Sequence, residues 1–124
     1  SAIPLKHHSL LSRHMIDLPK RIKIGHVKVD VYAIDQKEAD NIGADGLFCY
    51  RHACMRINAD QHPSQVIETL LHECLHGLWA VAAFNAKDEE EDQVTRLAPL
   101  LLALLADNPD LFDLLDDYCN SGDH

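Results

Sequence analysis

The chain has few of the features that mark membrane-inserted, exported or nucleic-acid-binding proteins. Aromatic residues make up only 6% of its 124 residues. The longest apolar run, residues 97–106, is interrupted by Pro99 and falls short of the ~20 residues that a membrane-spanning helix needs. The start of the chain has no basic region followed by an apolar stretch, so no signal peptide is predicted. These absences predict a cytoplasmic protein without a membrane partner.

Basic residues are scarce in the last third of the chain. The formal net charge is −9. Residues 1–87 contain 10 Lys and Arg against 9 Asp and Glu, whereas residues 88–124 contain 11 acidic residues against Arg96 alone. Because such an acidic segment repels phosphate backbones, nucleic acid is not an expected partner.

Cysteine is also sparse, with four residues. Cys74 falls within an apolar helical pattern and is predicted to be a small core residue. Cys49 and Cys54 could form a disulfide only if a hairpin brought them together. Without an export signal, all four cysteines are predicted to be reduced thiols. An alternative is that Cys49, His52 and Cys54, a C-x2-H-x-C group, offer three ligands to a second metal.

Length and composition predict one folded domain over residues 1–124, because 47% of the residues are hydrophobic and a chain of this size can bury one modest core. Residues 1–20 are predicted to be an N-terminal arm, with a short helix over residues 9–15 as the alternative. From 21 to 34 apolar and polar residues alternate, which is typical of two strands, or of one strand bent at Gly25-His26. Residues 36–41 predict a short helical turn.

A second strand-like region, residues 47–58, precedes the main helix. Its end, Ile57-Asn58, is predicted to form the sheet edge, with free backbone groups that could pair with an extended peptide. An ordinary edge strand without a ligand is the alternative.

Three helices are predicted after this region. The first begins near Pro63, a residue suited to the first helical position. The second has Asp88 as its predicted N-cap, with Glu91 completing a capping box, and contains Pro99. Asn108-Pro109 is predicted to cap the third.

The motif His-Glu-Cys-Leu-His, an HExxH, lies in the first of these helices. Residues four apart share a helix face, so His72 and His76 can present two imidazoles to one cation. Glu73 points about 100° away, where it can take a proton from a water rather than bind the metal. Apolar residues recur around the motif at helical spacing: Val66, Ile67, Leu70, Leu71, Cys74, Leu75, Leu78 and Trp79. The pattern predicts a buried amphipathic helix that carries a catalytic zinc site, and the alternative is a solvent-facing histidine pair on a core helix.

A catalytic zinc site takes three protein ligands and leaves one position open. The extended pattern HExxHxxGxxH is absent, because position 79 is Trp and position 82 is Ala. Only His124 follows His76 among the histidines. The acidic residues at 89–92 are therefore the candidates for the third ligand.

The sequence resembles small HExxH proteins of phages and prophages and, more distantly, the ImmA/IrrE-type metallopeptidases. The resemblance rests on Thr69-Leu-Leu-His72-Glu73-x-x-His76-Gly77-Leu-Trp79, on Val94-x-x-Leu97-Ala98-Pro99 and on Asp107-Asn108-Pro109-Asp110-Leu111. It implies a gluzincin-like ligand set in which a glutamate six residues before a hydrophobe-Ala pair binds the metal. Carried onto Leu97-Ala98, that position is Glu91. Glu90 is the alternative ligand, and the capping box is the alternative role for Glu91.

The combined expectation is an α+β, zincin-like domain: a small twisted antiparallel or mixed sheet over residues 21–58, packed on the HExxH helix and two further helices. Its expected activity is zinc-dependent hydrolysis of a protein or peptide substrate, with Zn2+ held by His72, His76 and Glu91. Glu73 is the expected general base, and Tyr50, His62 and Tyr118 are candidates to stabilise an oxyanion. The alternative is a zinc-binding regulatory protein of phage origin without general protease activity. The host-cell cytoplasm is the expected location if the protein is phage-encoded.

Overall fold

Four strands and four helices make up the part of the chain that the computed structural model describes, residues 16–85 and 87–121. The predicted helix over residues 9–15, like most of the predicted arm, lies outside these residues. The strands are β1 (Arg21–Ile24), β2 (Val27–Ile34), β3 (Gly46–Cys49) and β4 (Cys54–Asn58). The helices are α1 (Gln36–Ile42), α2 (Pro63–Ala82), α3 (Glu90–Asp107) and α4 (Pro109–Ser121). The predicted α+β class is confirmed.

The strands form one mixed sheet in the order β1-β2-β4-β3. The alternating pattern of residues 21–34 gives two antiparallel strands, β1 and β2, joined at Gly25, whose φ is +63°. β2 pairs with β4 in parallel, and the connection between them contains α1 and β3. β3 and β4 form an antiparallel hairpin.

The prediction that Ile57-Asn58 forms the sheet edge is wrong. These residues end β4, which is paired on both sides, with β2 and with β3. The strand-like region 47–58 divides into two strands because residues 50–53 turn the chain back, with Ala53 in the left-handed conformation at φ +50°. β3 is therefore the edge strand next to α2.

α2 packs its apolar face on the sheet. Fully buried side chains from the two layers meet there, and each Val, Leu, Ile or Met among them contributes about 1.5–3 kcal/mol of stability through burial. They include Ile22, Ile24, Met55 and Ile57 from the strands and Val66, Leu70, Cys74 and Leu78 from α2. Gly77 allows the close approach, because a Cβ there would lie 2.6 Å from Cδ1 of Ile24. The helix begins at Pro63, as predicted, and ends at Ala82.

The predicted capping box of Asp88 and Glu91 is wrong. α3 begins at Glu90 with Glu89 as its N-cap, and no side chain caps it. The carboxylate of Asp88 instead accepts hydrogen bonds from the backbone N–H of Asn85 and from the Arg96 guanidinium. The hydrogen bond with Arg96 thus holds Asp88 away from the N-terminus of α3 and attaches the α2–α3 loop to that helix.

The junction between α3 and α4 is attached to the sheet through Asn108. Its side-chain oxygen accepts from the backbone N–H of Lys23 at 2.7 Å, and its amide nitrogen donates to the carbonyls of Lys23 and Leu104, each at 2.7 Å. α4 begins at Pro109, as predicted, but the Asn108 side chain binds β1 and α3 rather than capping α4. Among the described residues, no helix has the length and apolar character needed to cross a membrane.

Candidate active site on helix α2

His72 and His76 lie one helical turn apart, both exposed, with their imidazoles directed at a common point. Their Nε2 atoms are 3.2 Å apart, and the ring planes meet at 72°. Two imidazole nitrogens that bind one zinc tetrahedrally at ~2.0–2.1 Å are separated by about 3.3 Å. The spacing therefore fits a shared metal. It also fits a hydrogen bond between two neutral rings, one donating and one accepting.

Glu73 lies on the sheet side of the histidine pair. It is buried, with 5% of its surface exposed, against Gly46 of β3 and Thr69. None of the described residues donates a hydrogen bond to its carboxylate. Burial raises the pKa of this carboxyl, and the neighbouring imidazoles of His76 and His72 act in the opposite direction. A buried carboxylate with unused acceptor capacity beside two imidazoles is suited to accepting a proton.

The position of Gly46 over Glu73 depends on a buried polar network at the start of β3. Asn58 is fully buried, and its backbone N–H donates to the carbonyl of Asp45 at 2.8 Å. Its side-chain nitrogen donates to Oδ1 of Asp45 and to Oε1 of Gln36, each at 3.0 Å. These bonds fix the residue that precedes Gly46 and thereby hold β3 against α2.

His72 and His76 both line each of two cavities. The strand-side cavity, of about 380 Å³, lies between α2 and the edge strand. Its lining consists of His72, Glu73, His76 and Ala80 from α2 and of Gly46, Leu47, Phe48 and Tyr50 from β3 and the turn after it. The helix-side cavity, of about 320 Å³, is lined by His72, Leu75, His76 and Trp79. A third cavity of about 250 Å³ extends the site past Glu73 toward Glu68 and Asp45.

The lining of the helix-side cavity shows that the prediction for two apolar residues of α2 is wrong. Leu75 and Trp79 were predicted to face the core, but 55% and 48% of their surfaces are exposed. The signal was present in the sequence, because each follows a motif histidine by three residues and so shares the histidine face. Together they give the histidine pair one apolar flank.

The Trp79 ring is supported from the α2–α3 loop. Phe84 packs edge-on against it, with ring centroids 4.8 Å apart. The Arg96 guanidinium lies 4.7 Å from the centre of the Phe84 ring and also donates to the carbonyl of Ala82 at 3.0 Å. This chain of contacts fixes the orientation of an exposed aromatic ring beside the site.

Only one of the three oxyanion candidates lies at the site. Tyr50 lines the strand-side cavity with both histidines. His62 is the N-cap of α2 and accepts from the backbone N–H of Ser64. Tyr118 is on α4 and packs against the hydrophobic core.

The structure brings together His72, Glu73 and His76 but does not add a third ligand. Within residues 16–85 and 87–121, no group of three or more His, Cys, Asp or Glu side chains is arranged to hold a metal ion. α2 continues to Ala82, about 9 Å along its axis beyond His76, so α3 begins at the far end of the helical hairpin. Glu91, in the first turn of α3, accepts a hydrogen bond from Thr95 at 3.4 Å.

Glu91 and Glu90 as third ligands therefore stay predictions. The second metal group of Cys49, His52 and Cys54 is likewise not assembled in the described structure.

Comparisons of the chain with protein-family models, with curated proteins and with solved structures give no match.

Proposed function

We propose that this protein is a zinc-dependent metallopeptidase of zincin-like fold and gluzincin-like ligand set, related to the small HExxH proteins of phages. The observation that carries the proposal is the 3.2 Å separation of the His72 and His76 Nε2 atoms above the buried carboxylate of Glu73. Imidazole nitrogens are preferred zinc ligands, and an open cavity beside them leaves room for water and substrate. His72, His76 and Glu91 are the proposed ligands.

Glu73 has the central part in the proposed reaction. When bound, zinc supplies Lewis-acid chemistry that polarises a carbonyl and acidifies water. The Glu73 carboxylate accepts the proton of the attacking water and then donates it to the amine that leaves. The carboxylate lies against Gly46 of β3, and Tyr50, which lines the same cavity, is the proposed hydrogen-bond donor to the developing oxyanion.

The edge strand β3 supplies the proposed binding site for the peptide. One side of β3 pairs with β4, and the other side borders the cavity that contains Glu73 and both histidines. An extended peptide can use the free backbone groups of such an edge, which places its carbonyl groups along the histidine pair. The apolar flank of Leu75 and Trp79 favours substrates with an apolar side chain on that side of the cleaved bond.

A zinc-binding regulatory protein without general protease activity is the second candidate. One observation favours it: large apolar side chains are exposed on the two C-terminal helices, as expected of a protein that binds a partner. They are Val94, Leu101 and Leu102 on α3 and Phe112 on α4.

The two candidates differ in what Glu73→Gln removes. In a metallopeptidase this variant keeps zinc and fold but loses hydrolysis, since an amide cannot accept the proton at neutral pH. The test is metal analysis of parent and variant, followed by a proteolysis screen with a peptide library. Equal cleavage by both proteins would overturn the proposed role of Glu73. Zinc binding without cleavage by either protein would support the regulatory candidate.

A further inference from the structure

The β3–β4 hairpin places two cysteines directly opposite each other. Cys49 is the last residue of β3, Cys54 is the first of β4, and the two are register partners in the antiparallel ladder. The four residues between them form a turn in which the backbone N–H of Ala53 donates to the carbonyl of Tyr50 at 3.1 Å. Both thiols are free and half-buried. The hairpin that a disulfide between these residues requires is thus present.

The spacing of such a pair suits a disulfide. Opposite residues in an antiparallel ladder have Cα atoms about 4.5 or 5.5 Å apart, and both values lie within the range of about 4.4–6.8 Å found in disulfides. Their side chains also project from the same face of the sheet. Their Cβ atoms, about 4.5–5.5 Å apart, must approach slightly to reach the usual disulfide spacing of about 3.5–4.5 Å. The end of a hairpin, next to its turn, can accommodate this small movement.

We propose that Cys49 and Cys54 are a modification site at which hydroperoxides convert the two thiols into an intramolecular disulfide. The thiolate of one cysteine attacks the O–O bond of hydrogen peroxide, and a sulfenic acid and water result. The second thiol attacks that sulfur, the S–S bond forms, and another water leaves. Two thiols lose two electrons and two protons, and one peroxide is reduced to two waters. A dithiol such as glutaredoxin reverses the reaction by exchange.

The other two cysteines provide internal controls. Cys74 is buried in the core, with 1% of its surface exposed, so peroxide has no access to its thiol. Cys119 is exposed on α4 and has no cysteine opposite it in the described structure. Peroxide should therefore leave Cys74 unchanged and carry Cys119 to sulfenic and sulfinic acid or to a dimer.

The modification site lies at the border of the candidate active site. Residues Gly46, Leu47 and Phe48, just before Cys49 on β3, line the strand-side cavity. A bridge to Cys54 fastens this edge strand to β4 at the end nearest Tyr50. The proposal does not depend on zinc binding or hydrolysis, because it follows from the hairpin register alone.

The chain allows the bridge to be detected directly. Trypsin cleaves after Lys37, Arg51 and Arg56, which places Cys49 in peptide 38–51 and Cys54 in peptide 52–56. The experiment treats Cys119→Ala protein with stoichiometric hydrogen peroxide, alkylates the remaining thiols, digests without reductant and analyses the peptides by mass spectrometry. The expected species is the linked pair 38–51 and 52–56, lighter by two hydrogen atoms than the sum of the free peptides and separated by dithiothreitol.

Two variants complete the test. Cys49→Ser and Cys54→Ser, each in the Cys119→Ala background, should lose the linked species, and the remaining cysteine should be recovered as sulfinic acid or alkylated thiol. In the parent protein, the peroxide dose that oxidises Cys119 should remove most of the alkylation at both hairpin cysteines. The proposal is overturned if Cys49 and Cys54 remain alkylatable thiols at that dose, or if both are oxidised without forming the linked pair.

Discussion

Gly46 lies directly against the carboxylate of Glu73. A Cβ at position 46 would stand 2.7 Å from Oε2 of Glu73 and 2.7 Å from Cγ2 of Thr69, both closer than ordinary atomic contact. The first residue of the edge strand therefore also forms the wall that holds the proposed general base. This contact makes the site sensitive to a single methyl group.

Gly46→Ala should destabilise the protein by about 1–3 kcal/mol, the usual cost of forcing extra volume into a packed region. Denaturant unfolding of parent and variant measures the difference. Gly43→Ala is the matched control, because Gly43 has φ +76° but no atom within 4 Å of a Cβ there. Its cost is conformational, about 1–2 kcal/mol for an L-residue in the left-handed region, with zinc content unchanged. A Gly46→Ala variant as stable as the parent would mean that β3 does not lie this close to Glu73.

Zinc should bind at about one equivalent, and Trp79 can report it. Trp79 is the single tryptophan of the chain and lines the same cavity as His72 and His76. Cobalt, which accepts the same nitrogen ligands, should quench its fluorescence in a saturable way, and excess zinc should reverse the quenching. His72→Ala or His76→Ala should abolish both effects, because loss of one ligand removes much of the site's affinity. His26→Ala and His52→Ala, at exposed histidines outside the site, should change neither.

Glu73→Gln should stabilise the metal-free protein at neutral pH. The folded state raises the pKa of Glu73 above its usual 4.5 because burial disfavours the charged carboxylate. The protonated form is therefore favoured by folding, and this contribution is present below about pH 4.5 and is lost as pH rises through the folded-state value. Unfolding of parent and variant with a chelator present should show an advantage for Glu73→Gln at pH 7 that shrinks toward pH 4. An advantage that grows as the pH falls would contradict the direction of the shift.

The periodic parts of the sequence predicted the fold, and the parts that depend on long-range contacts did not. The alternation of residues 21–34 and the helical pattern after Pro63 each gave the correct element, because each reflects one buried face. The edge strand was assigned to Ile57-Asn58 because chain order does not reveal that β4 pairs with β2 in parallel. The local sequence predicts Asp88 as an N-cap because its hydrogen bond with Arg96, eight residues away, leaves no local signal.

In the candidate site, too, local spacing predicted some residues and missed those that depend on long-range contacts. Local spacing placed His72, Glu73 and His76 together, since one helix carries all three. Leu47 and Phe48 reach the site only because β3 packs on α2, and no sequence motif predicts this packing. The third ligand requires a second helix in a particular position. The sequence shows that acidic residues lie at the start of that helix, but it does not predict the position of the helix.

Glu91 is the proposed third zinc ligand. It lies in the first turn of α3, where a negative charge contributes only about 0.3–1 kcal/mol through the helix dipole. As the third zinc ligand, however, Glu91→Ala should weaken zinc binding at least tenfold while metal-free stability changes by no more than about 1 kcal/mol. Competition with a chromogenic chelator measures the affinity, and unfolding with and without zinc separates the two contributions.

Glu90→Ala and Glu89→Ala are the matched controls, because Glu90 points about 100° away from Glu91 around α3 and Glu89, the N-cap, precedes the helix. Both should keep zinc affinity within a factor of about three of the parent, well below the effect of a lost ligand. If Glu90→Ala loses zinc while Glu91→Ala retains it, the register taken from Leu97-Ala98 is wrong by one residue. If none of the three variants loses zinc, α3 supplies no glutamate ligand and the gluzincin-like assignment is incorrect. Zinc loss in Glu91→Ala alone would mean that α3 approaches His72 and His76 when the metal binds.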